Sequence, residues 1–79
     1  MMIEAYENLA EAIIVQAVKD YRTVLGKLRY YRNDRIALAE KRQIERFFRS
    51  GWFAVLTDLD GEVLIEKIKQ ESAHLEVAI

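Results

Sequence analysis

The sequence predicts an all-α fold: a helical hairpin, a short aromatic capping turn and a third helix, together a small helical bundle expected to be oligomeric. Three observations carry that expectation. Pro is absent and Gly occurs three times in 79 residues, so little interrupts a long helix. Apolar residues recur at three-and-four spacing through residues 3–28 and again through 36–48, the period of a helix with one buried face. Short breaks at 30–34, 50–51 and 57–60 carry residues that start or stop helices. A chain of this length builds a modest core, and self-association is a common way to add burial. One domain is expected across residues 1–79.

The first helix is expected over about 3–28. Ile3, Tyr6, Ala10, Ile13, Ala17, Tyr21, Val24 and Leu28 form its stripe, widened by Ile14, Val18 and Leu25. Glu4, Glu7 and Glu11 near its start and Lys27 and Arg29 near its end complement the helix dipole. Val15 falls off the stripe beside Glu11, Lys19 and Arg22. It is either a single exposed apolar residue or part of a second contact face.

Asn33 or Asp34 can cap the second helix, expected over about 34–49, because a short side-chain oxygen accepts from a free backbone N–H. The short link makes the two helices an antiparallel hairpin. One face of the second helix holds Ile36, Ala37, Ile44, Phe47 and Phe48; the other holds Arg35, Arg42, Arg46 and Arg49. Glu40 falls among Ile36, Ile44 and Phe47 on the helical wheel. A carboxylate buried there needs a basic or Tyr partner on the first helix, or else serves as a functional acid.

Ser50-Gly51 is expected to end the helix, with Gly51 in the left-handed conformation. Trp52-Phe53 with Val55-Leu56 reads as a helical turn at 52–56 that closes the open end of the hairpin. Thr57 or Asp58 would then cap a third helix over about 59–73, with Leu64, Ile65, Ile68 and Leu75 on one side. The final HLEVAI alternates and is compatible with more helix, a short strand or a frayed end.

Charge is arranged in blocks: net −3 over residues 1–20, +6 over 21–49 and −4 over 50–79. A basic centre between acidic ends attracts anions, or pairs with its own ends. No Cys is present, which excludes disulfides, a thiol nucleophile and Cys-ligated zinc. His74 is the only histidine, so a metal site or catalytic dyad has little to build on. Asp58-Leu59-Asp60-Gly61-Glu62 hints at a calcium loop, but the first and twelfth positions would be Leu56 and Lys67. The glycines form no phosphate-cradling loop. With these parts missing the protein is expected to be non-enzymatic and without a cofactor. The apolar runs are too short to span a bilayer and no signal segment opens the chain, so a soluble intracellular protein is expected.

The arginine stripe is the best functional signal, since offsets of seven, four and three place all four on one side of the helix. Lys19, Arg22, Arg29 and Arg32 of the first helix could add to it. Arg suits phosphate and carboxylate because its planar fork engages two oxygens at once. The alternative is a solvated face stitched by Glu45 to Arg49 and by acids of the third helix. A helix-turn-helix at 34–73 would present Glu62, Glu66 and Glu71 to the major groove, so sequence-specific DNA binding ranks low.

EAIIVQAVKDYR at 11–22 and IERFFRSGWFAVLTDLDGEVLIEKI at 44–68 resemble a family of small uncharacterised proteins carried by phages and mobile elements of Gram-positive bacteria. The family places a Pro-containing turn where this chain has YYRND. The resemblance implies a setting, a phage or integrated element acting in a bacterial cytoplasm, and no activity. The polar residues of the two blocks, with the stripe, give the candidate ligand-binding set: Gln16, Lys19, Asp20, Arg22, Arg42, Glu45, Arg46, Arg49 and Trp52. The function expected is binding of an anionic ligand, such as a nucleotide signal, or of an acidic host protein, and by analogy a counter to host defence. A nucleotide would place its phosphates on the Arg side chains and its base on Trp52 or a Tyr. A structural or assembly-accessory homo-oligomer without a small ligand is the second expectation, and a non-specific nucleic-acid binder the third.

Overall fold

A computed structural model of the chain describes the backbone of residues 2–78 and the side chains of residues 9–73. Four helices follow in order: α1 (Met2–Tyr30), α2 (Arg35–Phe48), α3 (Gly51–Leu56) and α4 (Gly61–Ala78). No strand occurs among the described residues. At about 1.5 Å per residue, the 29 residues of α1 set the 44 Å long axis of the molecule. The helix at the C-terminal end runs through His74 and Leu75, but their side chains, like those of Ile3, Glu4, Tyr6 and Glu7, lie outside the described residues.

The hairpin is antiparallel. Lys27 meets Asp34 at 4.0 Å beside the link, and Tyr21 meets Glu45 farther along. Of the two capping candidates Asp34 is the cap, its Oδ1 accepting from the Ala37 N–H at 3.1 Å. α4 returns along α2, with Glu62 at Arg49 and Lys69 at Glu45, and reaches α1 where Arg22 meets Glu71. The core is Tyr21, Val24, Ala37, Phe48, Phe53, Ile65 and Ile68. At its centre the rings of Phe48 and Phe53 stand edge to face at 5.5 Å, with Phe47 and Tyr21 packed against Phe48 at 5.7 and 5.8 Å.

The short α3 turns on Ser50. Its Oγ donates to the Phe47 carbonyl at 2.6 Å and accepts from the Phe53 N–H at 3.1 Å, so one hydroxyl closes α2 and opens α3. Gly51 does not take the left-handed conformation expected of it: no residue described has positive φ, and Gly51 is the first residue of α3. The cap of α4 also differs from expectation. Asp60, not Thr57 or Asp58, accepts from the Glu62 N–H at 2.9 Å, while Thr57 Oγ1 serves the Leu59 N–H within the loop. Gly61 has a steric role instead. A Cβ there would lie 2.8 Å from the Phe48 carbonyl carbon, so the backbones of α4 and α2 meet where only glycine fits.

Three side chains expected in the interior are outside it. Glu40 is exposed, so no buried carboxylate exists at that position. Ile36 is 70% exposed and Trp52 58% exposed. Phe53, next to Trp52, closes the core at 2% exposure, and successive residues on a helix point about 100° apart. Val15 is half exposed.

Candidate functional site

Polar chemistry concentrates at Glu45. Its place on the edge of α2 facing both α1 and α4 leaves the side chain only 12% exposed. The Tyr21 hydroxyl, from the core stripe of α1, donates to Glu45 Oε2 at 2.6 Å. Lys41 Nζ lies 3.4 Å and Lys69 Nζ 3.9 Å from the same oxygen, and Arg49 lies 3.9 Å from Oε1. Burial pushes the Glu45 carboxyl up, but the Tyr21 hydrogen bond and the two lysines outweigh it and hold the carboxyl below its ordinary value. Burial chiefly, and then the bond to anionic Glu45, push the Tyr21 hydroxyl well above its ordinary value. Tyr21 has no exposed surface, so its hydroxyl serves to tie α1 to α2, while Lys41 and Lys69 keep part of their surface in solvent.

The pair makes stability depend on pH from both sides. Glu45 contributes stability above the unfolded value of about 4.3, and that contribution is lost as pH falls through its depressed folded value. Tyr21 contributes stability below about 10, and that contribution is lost as pH rises from there toward its raised folded value. Tyr21→Phe keeps the ring and removes the donor. It is expected to cost about 1.5–3 kcal/mol at neutral pH. Urea midpoints measured against pH should lose most of their alkaline fall and part of their acid fall in the variant. Parallel wild-type and variant curves would remove the bond from the account.

The arginine stripe divides in two. Arg49 is taken up by Glu62, on its Nε and at 3.5 Å on a second nitrogen, and by Glu45. This is the expected stitching by an i,i+4 pair and by an acid of the following helix. Arg35, Arg42 and Arg46 are exposed and have no ion pair or hydrogen bond among the described residues. Their row spans about 16 Å of helix. Arg22 and Arg29 do not extend it. Arg22 pairs with Glu71 at 2.9 Å, and Arg29 donates to the Ser72 carbonyl and hydroxyl at 2.8 and 3.0 Å, so both turn toward α4.

The nine expected site residues therefore lie on several faces. Glu45 and Arg49 are in contact, as are Gln16 and Asp20, whose side chains bond at 2.9 Å. Those two line an open groove of about 480 Å³ between α1 and α2, with Ile13, Ala17, Gln43, Ile44 and Phe47. Lys19 is exposed on α1, and Arg42 and Arg46 on α2. Trp52 sits beside Ala10, Ile14 and Val55 at the α1–α3 junction. Sequence reasoning missed Tyr21 and Lys69 as partners of Glu45; both lie on apolar-rich helices where a tyrosine or lysine reads as core or surface. Among the described residues no group of three His, Asp or Glu side chains is placed to hold a metal ion, and no helix is long and apolar enough to cross a membrane. Comparison with known proteins finds no matching family model, no matching curated protein and no matching solved structure.

Proposed function

We propose that this is a non-enzymatic binding protein that holds an acidic protein surface on the Arg35–Arg42–Arg46 row of α2. The observation that carries this reading is the row itself: three exposed guanidinium groups with no partner among the described residues, whereas Lys41 on the same helix and Arg49 just past its end are paired. None of the three lines the groove between α1 and α2. A small nucleotide is normally held in a concave pocket. A row about 16 Å long matches an extended anionic surface better. In the phage or mobile-element setting that the resemblance suggests, the partner would be an acidic host protein in the bacterial cytoplasm, and interference with host defence follows by analogy alone.

Immobilised poly-L-glutamate serves as the probe. The chain carries a net charge of −1, so retention at low salt requires a localised basic face. Wild-type protein should be retained and released as salt rises. Arg42→Ala with Arg46→Ala should weaken retention by about tenfold or more, whereas Arg49→Ala should stay close to wild type. Equal retention of the double variant, no retention of wild type, or tighter retention on duplex DNA than on polyglutamate would each overturn this reading.

A further inference from the structure

We infer that the groove between α1 and α2 receives a basic amphipathic helix of a partner protein. Two openings between these helices share Asp20, Gln43 and Ile44, and so form one continuous trough. Its apolar floor is Ile13, Ala17, Ile44 and Phe47, and its only charges are the carboxylates of Asp20 on α1 and Glu40 on α2. No Lys or Arg lines it. From Ala12 to Thr23 the α1 wall runs about 16 Å, roughly three turns of helix.

The walls decide the form of the occupant. Both are helices, whose backbone groups are bonded within the helix, so the trough offers no edge to an extended strand. A segment that enters it must satisfy its own backbone. A helix does so, and fills the floor with apolar residues at i, i+3, i+4 and i+7. Charge decides the sign. Asp20 and Glu40 stand at the same end of the trough, one on each wall, and neither has an ion pair among the described residues. Glu45, Glu62 and Glu71, at the seams with α4, are all paired with cations. Asp20 accepts from the Gln16 amide at 2.9 Å, which leaves lone pairs on its carboxylate for a further donor. Lys or Arg over that end of the trough meets both carboxylates, whereas an acidic helix or the same face of a second copy would set carboxylate against carboxylate. None of Arg35, Arg42 and Arg46 lines the trough, so this surface does not depend on the arginine row.

Fluorescence anisotropy with a labelled model peptide tests this. The peptide has about 14 residues, leucines at helical spacing and lysines elsewhere, and its counterpart carries glutamate in place of lysine. The lysine peptide should bind wild type with a Kd of about 10 µM, and the glutamate peptide at least about tenfold more weakly. Asp20→Asn with Glu40→Gln changes two exposed side chains and should weaken the lysine peptide by about tenfold with the helical circular dichroism unchanged. Asp58→Asn with Glu66→Gln removes the same charge outside the trough and should bind as wild type does. Gln43→Arg, at another exposed position, places a cation in the trough and should also weaken binding. Arg42→Ala with Arg46→Ala should not weaken the lysine peptide, and Asp20→Asn with Glu40→Gln should not weaken retention on polyglutamate, so failure here and failure of the proposed function are separable. Sedimentation velocity between about 1 and 100 µM examines the other occupant. A wild-type dimer that Gln43→Arg breaks and that excludes the peptide would give the trough to a second copy. That result, no binding of the lysine peptide by wild type, equal binding of the two peptides, undiminished binding by the Asp20 and Glu40 double variant, or equal loss in both acid-removing variants would each overturn the assignment.

Discussion

Gly61→Ala is expected to destabilise the protein by about 3 kcal/mol, an unusually large effect for one methyl group. The first residue of α4 lies against the last carbonyl of α2, and a Cβ would come within 2.8 Å of the Phe48 carbonyl carbon and closer still to its oxygen. The obstruction is backbone, which cannot rotate aside as a side chain can. Relief requires α4 to lift from α2, which would pull Ile65 and Ile68 from the core and separate Arg49 from Glu62. A domain of 79 residues has a total stability of about 4–12 kcal/mol, so this single change removes a large fraction of it. The other two glycines are internal controls. A Cβ at Gly26 or Gly51 meets nothing within 4 Å, and neither residue needs positive φ. Alanine at those positions should stabilise by about 0.4–1 kcal/mol through the unfolded chain. Urea melts of the three variants should therefore differ in sign. A Gly61→Ala midpoint no lower than those of the other two would mean that the α2–α4 approach tolerates a Cβ at this position.

Gly61 also shows where the sequence stops being legible. Helix existence and order could be read from periodicity, and Asp34 from capping chemistry, because both are local. The second helix presents an apolar face in sequence, but which edge of that face is buried depends on where α4 docks. α4 lies on the Glu45–Arg49 edge, so the core moves toward Ala37 and Phe48 and leaves Ile36 and Glu40 bare. The same displacement turns Glu45 from one half of a surface pair into the meeting point of Tyr21, Lys41 and Lys69. Gly61, which sequence alone suggested only as part of a failed calcium loop, is fixed by the approach of two backbones far from anything local to it. The candidate site fared similarly. Spacing placed the arginines on one face, and only tertiary pairing shows that Arg49 and Arg22 are occupied while Arg35, Arg42 and Arg46 are not.

Phe48→Ala should cost about 3–5 kcal/mol and leave the domain near the edge of unfolding. Phe48 is 1% exposed, and its ring touches the rings of Tyr21 on α1, Phe47 on α2 and Phe53 on α3. Truncation leaves a cavity where these helices meet and where Gly61 brings α4 against the same residue, so collapse from any one side is opposed by the others. Phe47 offers the comparison. It sits one position earlier but is only half-buried on the open groove, and Phe47→Ala should cost less. Phe48→Leu, which keeps most of the volume, should cost about 1.5 kcal/mol or less. The six-residue α3 is too short to hold itself and depends on Phe53 against Phe48, so its order should fail first. Trp52, the only tryptophan, stands on α3 and reports that step. In Phe48→Ala its fluorescence should change at lower urea than the far-ultraviolet circular dichroism of the long helices, whereas in wild type the two transitions should coincide. Coincident transitions in both proteins would mean that α3 is held chiefly by Ser50 and its two hydrogen bonds rather than by the ring cluster.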